Sequence, residues 1–352
     1  MAVHERTTEA ILERVFADLA GSYGGVMVSI GRRLGLYRAL AGHGPTSSHE
    51  LAARTGCEER YVREWLDSQV AASYLDYHDG SQTYELPPEH VPVLADEDSP
   101  LFLPLAFEVP ASMWLDQERT LEAFRTGDGV PWGDHDARLA CGVAGFYRNA
   151  YRAALVPEWL PALDGVVAKL ERGARVADVG CGHGHSTALM ASAFPRSRFV
   201  GIDTHAASLE AAAAHAARAG LADRVEFQLA DARSYTGEGY DLICFFDCLH
   251  DLGDPVGAAR HAYQALAADG SLMVVEPFAS DAVTDNLGPV GRLYYAASTT
   301  ICVAHARSED VGLALGAQAG PARLAGVFEQ AGFTSVRVAQ ETPFNLILDV
   351  RR

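Results

Sequence analysis

The sequence predicts an α/β protein, with a helical N-terminal part up to position 98 and a doubly wound, mostly parallel sheet in the second half. Two observations predict this class. Between Ala174 and Val275, short apolar segments alternate with helical ones, as in parallel β-α-β units. Before position 99, apolar residues recur at helical spacing. The 352 residues, 49% of them hydrophobic, are enough for two or three structural units.

The N-terminal part begins with a predicted helix over residues 8–41, which ends at Gly42-His43-Gly44-Pro45. Thr46-Ser47-Ser48 caps a short helix, and a further helix follows through Trp65. Two short strands, Tyr74 to Tyr77 and Tyr84 to Leu86, then read as a hairpin. Helix, turn, helix and hairpin in this order predict a winged helix.

A winged helix suggests DNA binding, but the charges favour dimerisation. The helix that would enter the major groove of DNA carries Glu58, Glu59 and Glu64 beside its arginines. Its surface is therefore not the cationic face that DNA binding requires. The net charge of −18 disfavours nucleic acid and anionic membranes as partners. No signal peptide or membrane-spanning run is visible, and the six cysteines lack metal-finger spacing. We therefore expect a cytoplasmic protein with reduced thiols.

Residues 99–165 are rich in aromatic rings, including Trp114, Trp132, Tyr151 and Trp159. One interpretation is a set of packing helices that join the two ends of the chain. The other is a substrate cavity lined by some of these rings, because ligand pockets favour aromatic walls and domain junctions. The sequence leaves both open.

The second half opens with a strand, Arg175 to Val179, that runs into glycines at 180, 182 and 184. Four more strands are predicted over residues 198–203, 224–229, 240–246 and 271–275, with helices over residues 186–194, 206–219 and 255–267 between them. A glycine loop after a first strand is shared with nicotinamide and flavin enzymes, so by itself it is a weak signal. The third glycine of the dinucleotide fingerprint is replaced by His185.

The last two predicted strands help to distinguish this protein from the nicotinamide and flavin enzymes. Two predicted strands, residues 334–339 and 344–350, are joined by only a few residues. That link is too short for a parallel crossover, so the strands must form an antiparallel hairpin. Asp203 closes the second strand, where a carboxylate can accept hydrogen bonds from both hydroxyls of a ribose.

A parallel sheet with such a hairpin resembles the class I S-adenosylmethionine (SAM)-dependent methyltransferases. Residues 20–352 are similar to bacterial small-molecule methyltransferases with an N-terminal winged helix, related to plant-type O-methyltransferases. The matching segments lie at 31–37, 178–185, 248–251, 276–277, 298–302 and 315–320. The resemblance implies a Rossmann-like, seven-stranded sheet with an antiparallel last strand. It also implies three segments: a winged-helix dimerisation domain (1–98), a helical segment (99–165) and a SAM-binding domain (166–352).

The resemblance further implies where the cofactor SAM binds. The methionine portion would lie against the start of the glycine loop, the ribose against the end of the second strand, and the adenine between the ends of the third and fourth strands. The residues carried over are Asp178, Gly180, Cys181, Gly182, Asp203, Thr204, Asp231, Ala232 and Phe246.

Two histidines are candidates for the chemistry. In plant-type O-methyltransferases a histidine followed by aspartate after the fourth strand is the general base, which here is His250 followed by Asp251. His305 departs from the usual family pattern. Relatives that methylate the carbon beside the ketone of 2-oxo acids pair two such histidines on a metal ion, which implies that His250 and His305 bind iron or zinc here.

Two functions follow from these candidates. The first is metal-assisted methylation of the β-carbon of a 2-oxo acid, and the second is metal-free O- or N-methylation of a small molecule with His250 as base. A non-catalytic, DNA-binding regulator is disfavoured by the acidic helix. The related methyltransferases form homodimers through the N-terminal domain, and the resemblance implies the same here.

Overall fold

The computed structural model describes residues 7–352. Residues 1–6, which carry the prediction of no signal peptide, lie outside the described residues. The α-helices are Thr8–Arg33 (α1), Leu36–Leu40 (α2), Ser48–Thr55 (α3), Glu59–Ala71 (α4), Val91–Leu94 (α5), Glu108–Leu115 (α6), Gln117–Thr126 (α7), Arg138–Ala154 (α8), Val166–Arg172 (α9), His185–Ala193 (α10), Ala206–Arg218 (α11), Pro255–Ala265 (α12), Pro289–Ala297 (α13), Val303–Arg307 (α14) and Pro321–Ala331 (α15). The strands are Asp76–His78 (β1), Thr83–Glu85 (β2), Arg175–Val179 (β3), Arg198–Asp203 (β4), Val225–Leu229 (β5), Tyr240–Phe246 (β6), Leu266–Pro277 (β7), Ser335–Glu341 (β8) and Asn345–Arg351 (β9).

The chain forms two compact units. One contains residues up to Ala111 together with Cys141–Asn149, and the other contains Ser112–Ala140 and Ala150–Arg352. The division into segments 1–98, 99–165 and 166–352 stays a prediction, since the contacts distribute the middle segment over both units.

The N-terminal unit confirms the predicted winged helix. Ser47 and Glu50 form a reciprocal capping box at the start of α3, and β1 pairs with β2 in an antiparallel hairpin. Trp65 of α4 lies against Gly31 of α1, where an added Cβ would be 2.5 Å from the indole. The indole N–H donates to the Met27 carbonyl at 2.9 Å. Only glycine allows the two helices to approach this closely.

One helix boundary in this unit was predicted wrongly. The apolar pattern indicated a single helix over residues 8–41, but α1 ends at Arg33 and α2 begins at Leu36. Gly35 lies between them with φ +69°, a left-handed conformation that breaks the helix. The apolar periodicity continues across the break because α2 packs into the same core.

A stripe of apolar side chains on α1 faces outward. Its members are 52% to 71% exposed, and we call it the α1 stripe: Ile11, Leu12, Val15, Phe16, Leu19 and Tyr23. Their spacing of three and four residues places them on one side of the helix.

The second unit is built on a seven-stranded sheet of order β5-β4-β3-β6-β7-β9-β8. Strands β3 to β7 pair in parallel, whereas β9 is antiparallel to both of its neighbours, β7 and β8. The predicted class and the terminal hairpin are confirmed. Because the carboxyl ends of parallel strands meet at one edge, the segments after β3, β4, β5 and β6 assemble there.

The boundary between α12 and β7 also differs from the prediction of a helix to residue 267. The helix ends at Ala265 and β7 begins at Leu266, with a register shift between the pairs Tyr240–Leu266 and Leu242–Ser271. Asp269 and Gly270 therefore lie in an irregularity within the strand instead of ending a helix. Among the described helices, none is long and apolar enough to span a membrane.

Candidate active site

The glycine loop after β3 is held by backbone hydrogen bonds to β4 and its carboxyl end. The N–H groups of Gly180 and Cys181 both donate to the Ile202 carbonyl, at 2.8 and 3.1 Å. The Gly182 N–H donates to Asp203 Oδ2 at 2.8 Å. Gly180 has φ +74°, and an added Cβ would be 2.6 Å from Cys248 Sγ. This position therefore requires glycine for both conformation and space.

Asp178 is a fully buried carboxylate at the base of this loop. Its Oδ2 accepts from the Ser186 hydroxyl at 2.7 Å and the Thr187 hydroxyl at 2.5 Å. Its Oδ1 is buried without a hydrogen-bond partner. Burial raises the pKa of Asp178 to about 6, against the opposing effect of the two hydroxyls. A buried acceptor without a donor is suited to a polar group of the methionine portion, which the resemblance places here.

The other predicted cofactor residues lie at the same edge of the sheet. Asp203 ends β4, and its Oδ1 also accepts from the His205 N–H at 2.8 Å. Phe246 ends β6 and is buried, as are Cys181 and Ala232, whereas Thr204 is exposed. The structure thus brings these positions to one edge, and their roles stay predictions.

Asp231 is paired with Arg233, a partner only two residues further along the chain. Arg233 donates to both of its oxygens, at 3.0 Å from Nε to Oδ1 and 2.7 Å from Nη2 to Oδ2. These hydrogen bonds lower the pKa of Asp231, with a smaller opposing effect of burial. The carboxylate is therefore charged and fixed in orientation before any ligand binds.

His250 lies in a short 3₁₀ turn after β6, with its side chain 4% exposed between two carboxylates. Its Nδ1 lies 2.6 Å from Glu276 Oε2, and its Nε2 lies 3.0 Å from Asp251 Oδ1. Glu276, at the carboxyl end of β7, also accepts the Leu249 N–H at 3.1 Å through Oε1. Burial alone would lower the pKa of His250, but Asp251 and Glu276 together raise it well above its ordinary value.

Cys302 completes this cluster from a different element, a π-helical turn over Ser298–Cys302. His250, Asp251 and Cys302 each offer one atom that could bind a metal ion, and these three atoms lie within 4.8 Å of one another. Burial, and then the Asp251 carboxylate, raise the pKa of the Cys302 thiol to about 12. Within residues 7–352, these three side chains form a group of histidine, cysteine and acidic residues whose spacing is suited to a metal ion.

His305 lies outside that group. Its Nδ1 accepts the Trp132 N–H at 3.2 Å, and its Nε2 lies 3.6 Å from Glu309 Oε1. The structure therefore gives His305 other neighbours on both ring nitrogens, and the predicted metal pair of His250 and His305 stays a prediction.

Two rings of the aromatic middle segment contact this site. Trp132 packs edge-on against His305, with centroids 6.2 Å apart, and Tyr151 lies 5.7 Å from Phe246. The Tyr151 hydroxyl donates to Asp247 Oδ2 at 2.7 Å. Asp247 has φ +49°, and its Oδ1 accepts from the Asn345 amide at 2.8 Å. A bent backbone held from two sides fixes the start of the segment that carries His250.

Several of these side chains were not assigned a role from sequence. Glu276 and Cys302 appeared only within segments that resemble the family, and Asn345 only within a predicted strand. For Glu276 the available signal was an acidic residue at the carboxyl end of a buried strand, which needs a partner. For Cys302 and Asn345 no local signal exists, because their partners are distant in sequence.

Known proteins match this architecture. Residues 22–96 match the family described as "Rv2258c-like winged HTH domain", and residues 170–332 match "Methyltransferase domain". The human N-acetylserotonin methyltransferase in complex with SAM has 17% identity, with 100% of this chain and 99% of that chain covered and a TM-score of 0.73. The mitomycin 7-O-methyltransferase MmcR has 20% identity, 98% coverage of each chain and a TM-score of 0.70.

Curated relatives match only a part of the chain. The trans-aconitate 2-methyltransferase of Methylobacterium radiotolerans is 39% identical over 125 residues, which is 35% of this chain and 43% of that protein. The enzyme of the same name from Streptomyces avermitilis is 44% identical over 71 residues, 20% of this chain and 26% of that protein. The chain thus spans less than half the length of these relatives.

The fold, the two matched domains and the glycine loop agree with one another. The chain has the class I methyltransferase fold, with a winged helix-turn-helix domain over residues 22–96 preceding a methyltransferase domain over residues 170–332.

Proposed function

We propose that the protein transfers the methyl group of SAM to an oxygen or nitrogen of a small molecule, with His250 as the group that accepts the proton. The observation that carries this proposal is the contact between His250 Nδ1 and Glu276 Oε2 at 2.6 Å. It holds the proton of the neutral imidazole on Nδ1, so that Nε2, which lies 3.0 Å from Asp251 Oδ1, is the nitrogen that exchanges a proton with the acceptor. When bound, SAM supplies an electrophilic methyl group on a sulfonium.

The two carboxylates make His250 suited to this role. Glu276 and Asp251 stabilise the imidazolium that forms when the acceptor loses its proton, because opposite charges nearby favour the charged form. The side chain is nearly sealed from water, so these interactions are weakly screened. His250 in its neutral form is therefore a stronger base than free imidazole, in agreement with its raised pKa.

The test replaces His250 by Gln and measures release of S-adenosylhomocysteine with a panel of phenols and amines. We expect transfer to fall by about 10²–10⁴-fold, the usual contribution of a general base. The His305→Ala variant serves as the control and should be nearly normal. Calorimetry should give SAM affinities for both variants within about twofold of the wild type, since no cofactor residue has changed. Substantial transfer by His250→Gln would contradict the proposal.

A second candidate is methylation at the β-carbon of a 2-oxo acid with help from a bound iron or zinc ion. The convergence of His250, Asp251 and Cys302 favours it, since these donors suit both metals. When bound, such an ion supplies the Lewis acidity that stabilises the enolate of a chelated 2-oxo acid. Metal-dependent proton exchange at the β-carbon in deuterated water, without SAM, would support this candidate. Undiminished turnover of a phenol after exhaustive chelation would exclude it.

We also propose that the protein is a homodimer whose subunits pair through the N-terminal unit. The α1 stripe supports this, because six large apolar side chains on one helix face leave much apolar surface in water. The arginines of α4 are paired with acidic side chains, Arg60 with Glu64 at 2.5 Å and Arg63 with Glu59 at 3.5 Å. These ion pairs disfavour DNA as the partner of this helix.

A further inference from the structure

We propose that His250, Asp251 and Cys302 bind one divalent transition-metal ion, with His305 outside the coordination sphere. The inference deepens the second candidate function and rests on its metal. It assigns a different set of ligands from the pair of histidines that the family resemblance implies. The three side chains come from two elements, the 3₁₀ turn after β6 and the π-helical turn before α14.

The spacing of the donor atoms carries the first part of the argument. Ligand atoms bound about 2.0–2.3 Å from one metal lie roughly 3–4 Å from each other. His250 Nε2 and Asp251 Oδ1 are 3.0 Å apart, and the donors of all three residues lie within 4.8 Å of one another. Small side-chain adjustments are therefore enough to bring the three atoms onto one ion.

The hydrogen bonding of Asp251 gives an independent reason. Its Oδ1 is buried and lies 3.0 Å from His250 Nε2, but the two do not form a well-aligned hydrogen bond. A buried carboxylate oxygen with a poorly aligned donor is incompletely satisfied, and a cation is one of the few partners that satisfies it fully. The Cys302 thiol and the His250 ring border this oxygen, so a cation bound to it would lie among the proposed ligands.

Glu276 prepares His250 for metal binding in the way that outer carboxylates do in metalloproteins. A carboxylate on Nδ1 holds the proton there and directs the lone pair of Nε2 toward the ion. Glu276 is itself held by the Leu249 N–H at 3.1 Å. The arrangement supplies three protein donors and leaves a position for a substrate oxygen, as in catalytic zinc sites.

The set of nitrogen, oxygen and sulfur donors selects the metal class. Thiolate and imidazole suit zinc and iron over magnesium and calcium, which prefer oxygen donors. On binding, Cys302 loses its thiol proton to solvent, since the thiolate is the form that coordinates. Cobalt(II) is the appropriate probe, because a thiolate bound to it gives a charge-transfer band in the near ultraviolet that histidine and aspartate do not give.

The experiment titrates cobalt(II) into the full chain, purified without a histidine tag and stripped of metal. We expect one equivalent to bind with the thiolate band. Cys302→Ala should lose the band and bind cobalt at least about tenfold more weakly. His305→Ala and Cys141→Ala should keep both band and affinity; the second removes an exposed thiol elsewhere. Unchanged SAM binding by calorimetry verifies that each variant is folded.

Three results would overturn the inference: no cobalt binding by the wild type, a thiolate band that persists in Cys302→Ala, or loss of binding in His305→Ala. If Cys302→Ala does not fold, Asp251→Asn provides the same test with nearly unchanged shape. It should bind cobalt at least about tenfold more weakly and keep the thiolate band at saturation. Unchanged affinity would then overturn the assignment.

The experiments distinguish failure of the proposed metal site from failure of the second candidate function. A protein that binds cobalt through these ligands but does not exchange the β-protons of a 2-oxo acid would keep the metal site and lose the second candidate function. A protein that binds no metal and still methylates a phenol would lose the metal site and keep the base-driven transfer.

Discussion

Asp178 makes SAM affinity depend on pH in a predictable direction. Burial raises its pKa to about 6 in the unliganded protein, so the carboxyl carries a proton below that pH. SAM brings a positive charge to the vicinity of this group, and it therefore binds best to the ionised form. Affinity should rise with pH up to about 6 and level off above it.

The magnitude follows from the fraction of ionised Asp178. With a pKa of about 6, the ionised fraction is about 0.1 at pH 5 and about 0.9 at pH 7, so the dissociation constant should fall about tenfold between them. That ratio corresponds to about 1.4 kcal/mol. Binding at pH 5 should also release nearly one proton, because the ligand pulls the carboxyl to its charged form.

The assay is titration calorimetry at pH 5, 6 and 7 in two buffers of different ionisation enthalpy. Asp178→Asn is the control, because the amide keeps the shape of the side chain and has no proton to lose. Its SAM affinity should be weak and independent of pH, without proton release. A wild-type affinity that is flat from pH 5 to 7, or a pH dependence that survives in Asp178→Asn, would refute the reasoning.

The unliganded protein should respond to pH in the opposite sense. The pKa of Asp178 is about 6 in the folded protein and about 4 in the unfolded chain. Its contribution to the stability of the fold is therefore fully present below about pH 4 and is lost as the pH rises through about 6. The free energy of unfolding of the wild type, compared with Asp178→Asn by urea titration, should fall over this interval.

Two further predictions concern the cofactor and the assembly. Asp203→Ala removes the carboxylate expected to accept the ribose hydroxyls and should weaken SAM binding by about 1.5–3 kcal/mol in calorimetry; unchanged affinity, or tight binding of NAD, would contradict this. Phe16→Asp places a charge in the α1 stripe and should shift the protein from dimer to monomer in light scattering at micromolar concentration. Tyr61→Asp, on an 81% exposed tyrosine of α4, should not. A monomeric wild type would count against the dimer.

The fold was predictable because its signals are local. Short apolar strands between helices, glycines after β3, and a link too short for a crossover between β8 and β9 each follow from neighbouring residues. Errors arose where one apolar pattern covered two conformations. Gly35 breaks the first helix without interrupting the pattern, and the irregular start of β7 resembles the end of a helix because it contains Asp269-Gly270.

The candidate site was predictable only for residues at strand ends. Asp178 and Asp203 lie at the carboxyl ends of β3 and β4, and His250 lies in the turn after β6, so their meeting at one edge of the sheet follows from topology. Glu276 as the partner of His250, and Cys302 beside Asp251, depend on contacts between segments far apart in the chain. Nothing in their immediate neighbours indicates those contacts, and only the folded chain reveals them.

The position of β9 has a consequence for synthesis and quality control. This last described strand lies between β7 and β8, and its Asn345 also supports Asp247. A nascent or truncated chain that lacks residues 345–351 exposes the hydrogen-bonding edge of β7, whose second half is buried in the folded protein, and such an edge is a template for aggregation. β8 has no neighbour in the sheet until that segment arrives. The sheet of this domain therefore cannot be completed before β9 has been synthesised. Shortened chains should be substrates for chaperones and proteases rather than partly active enzymes.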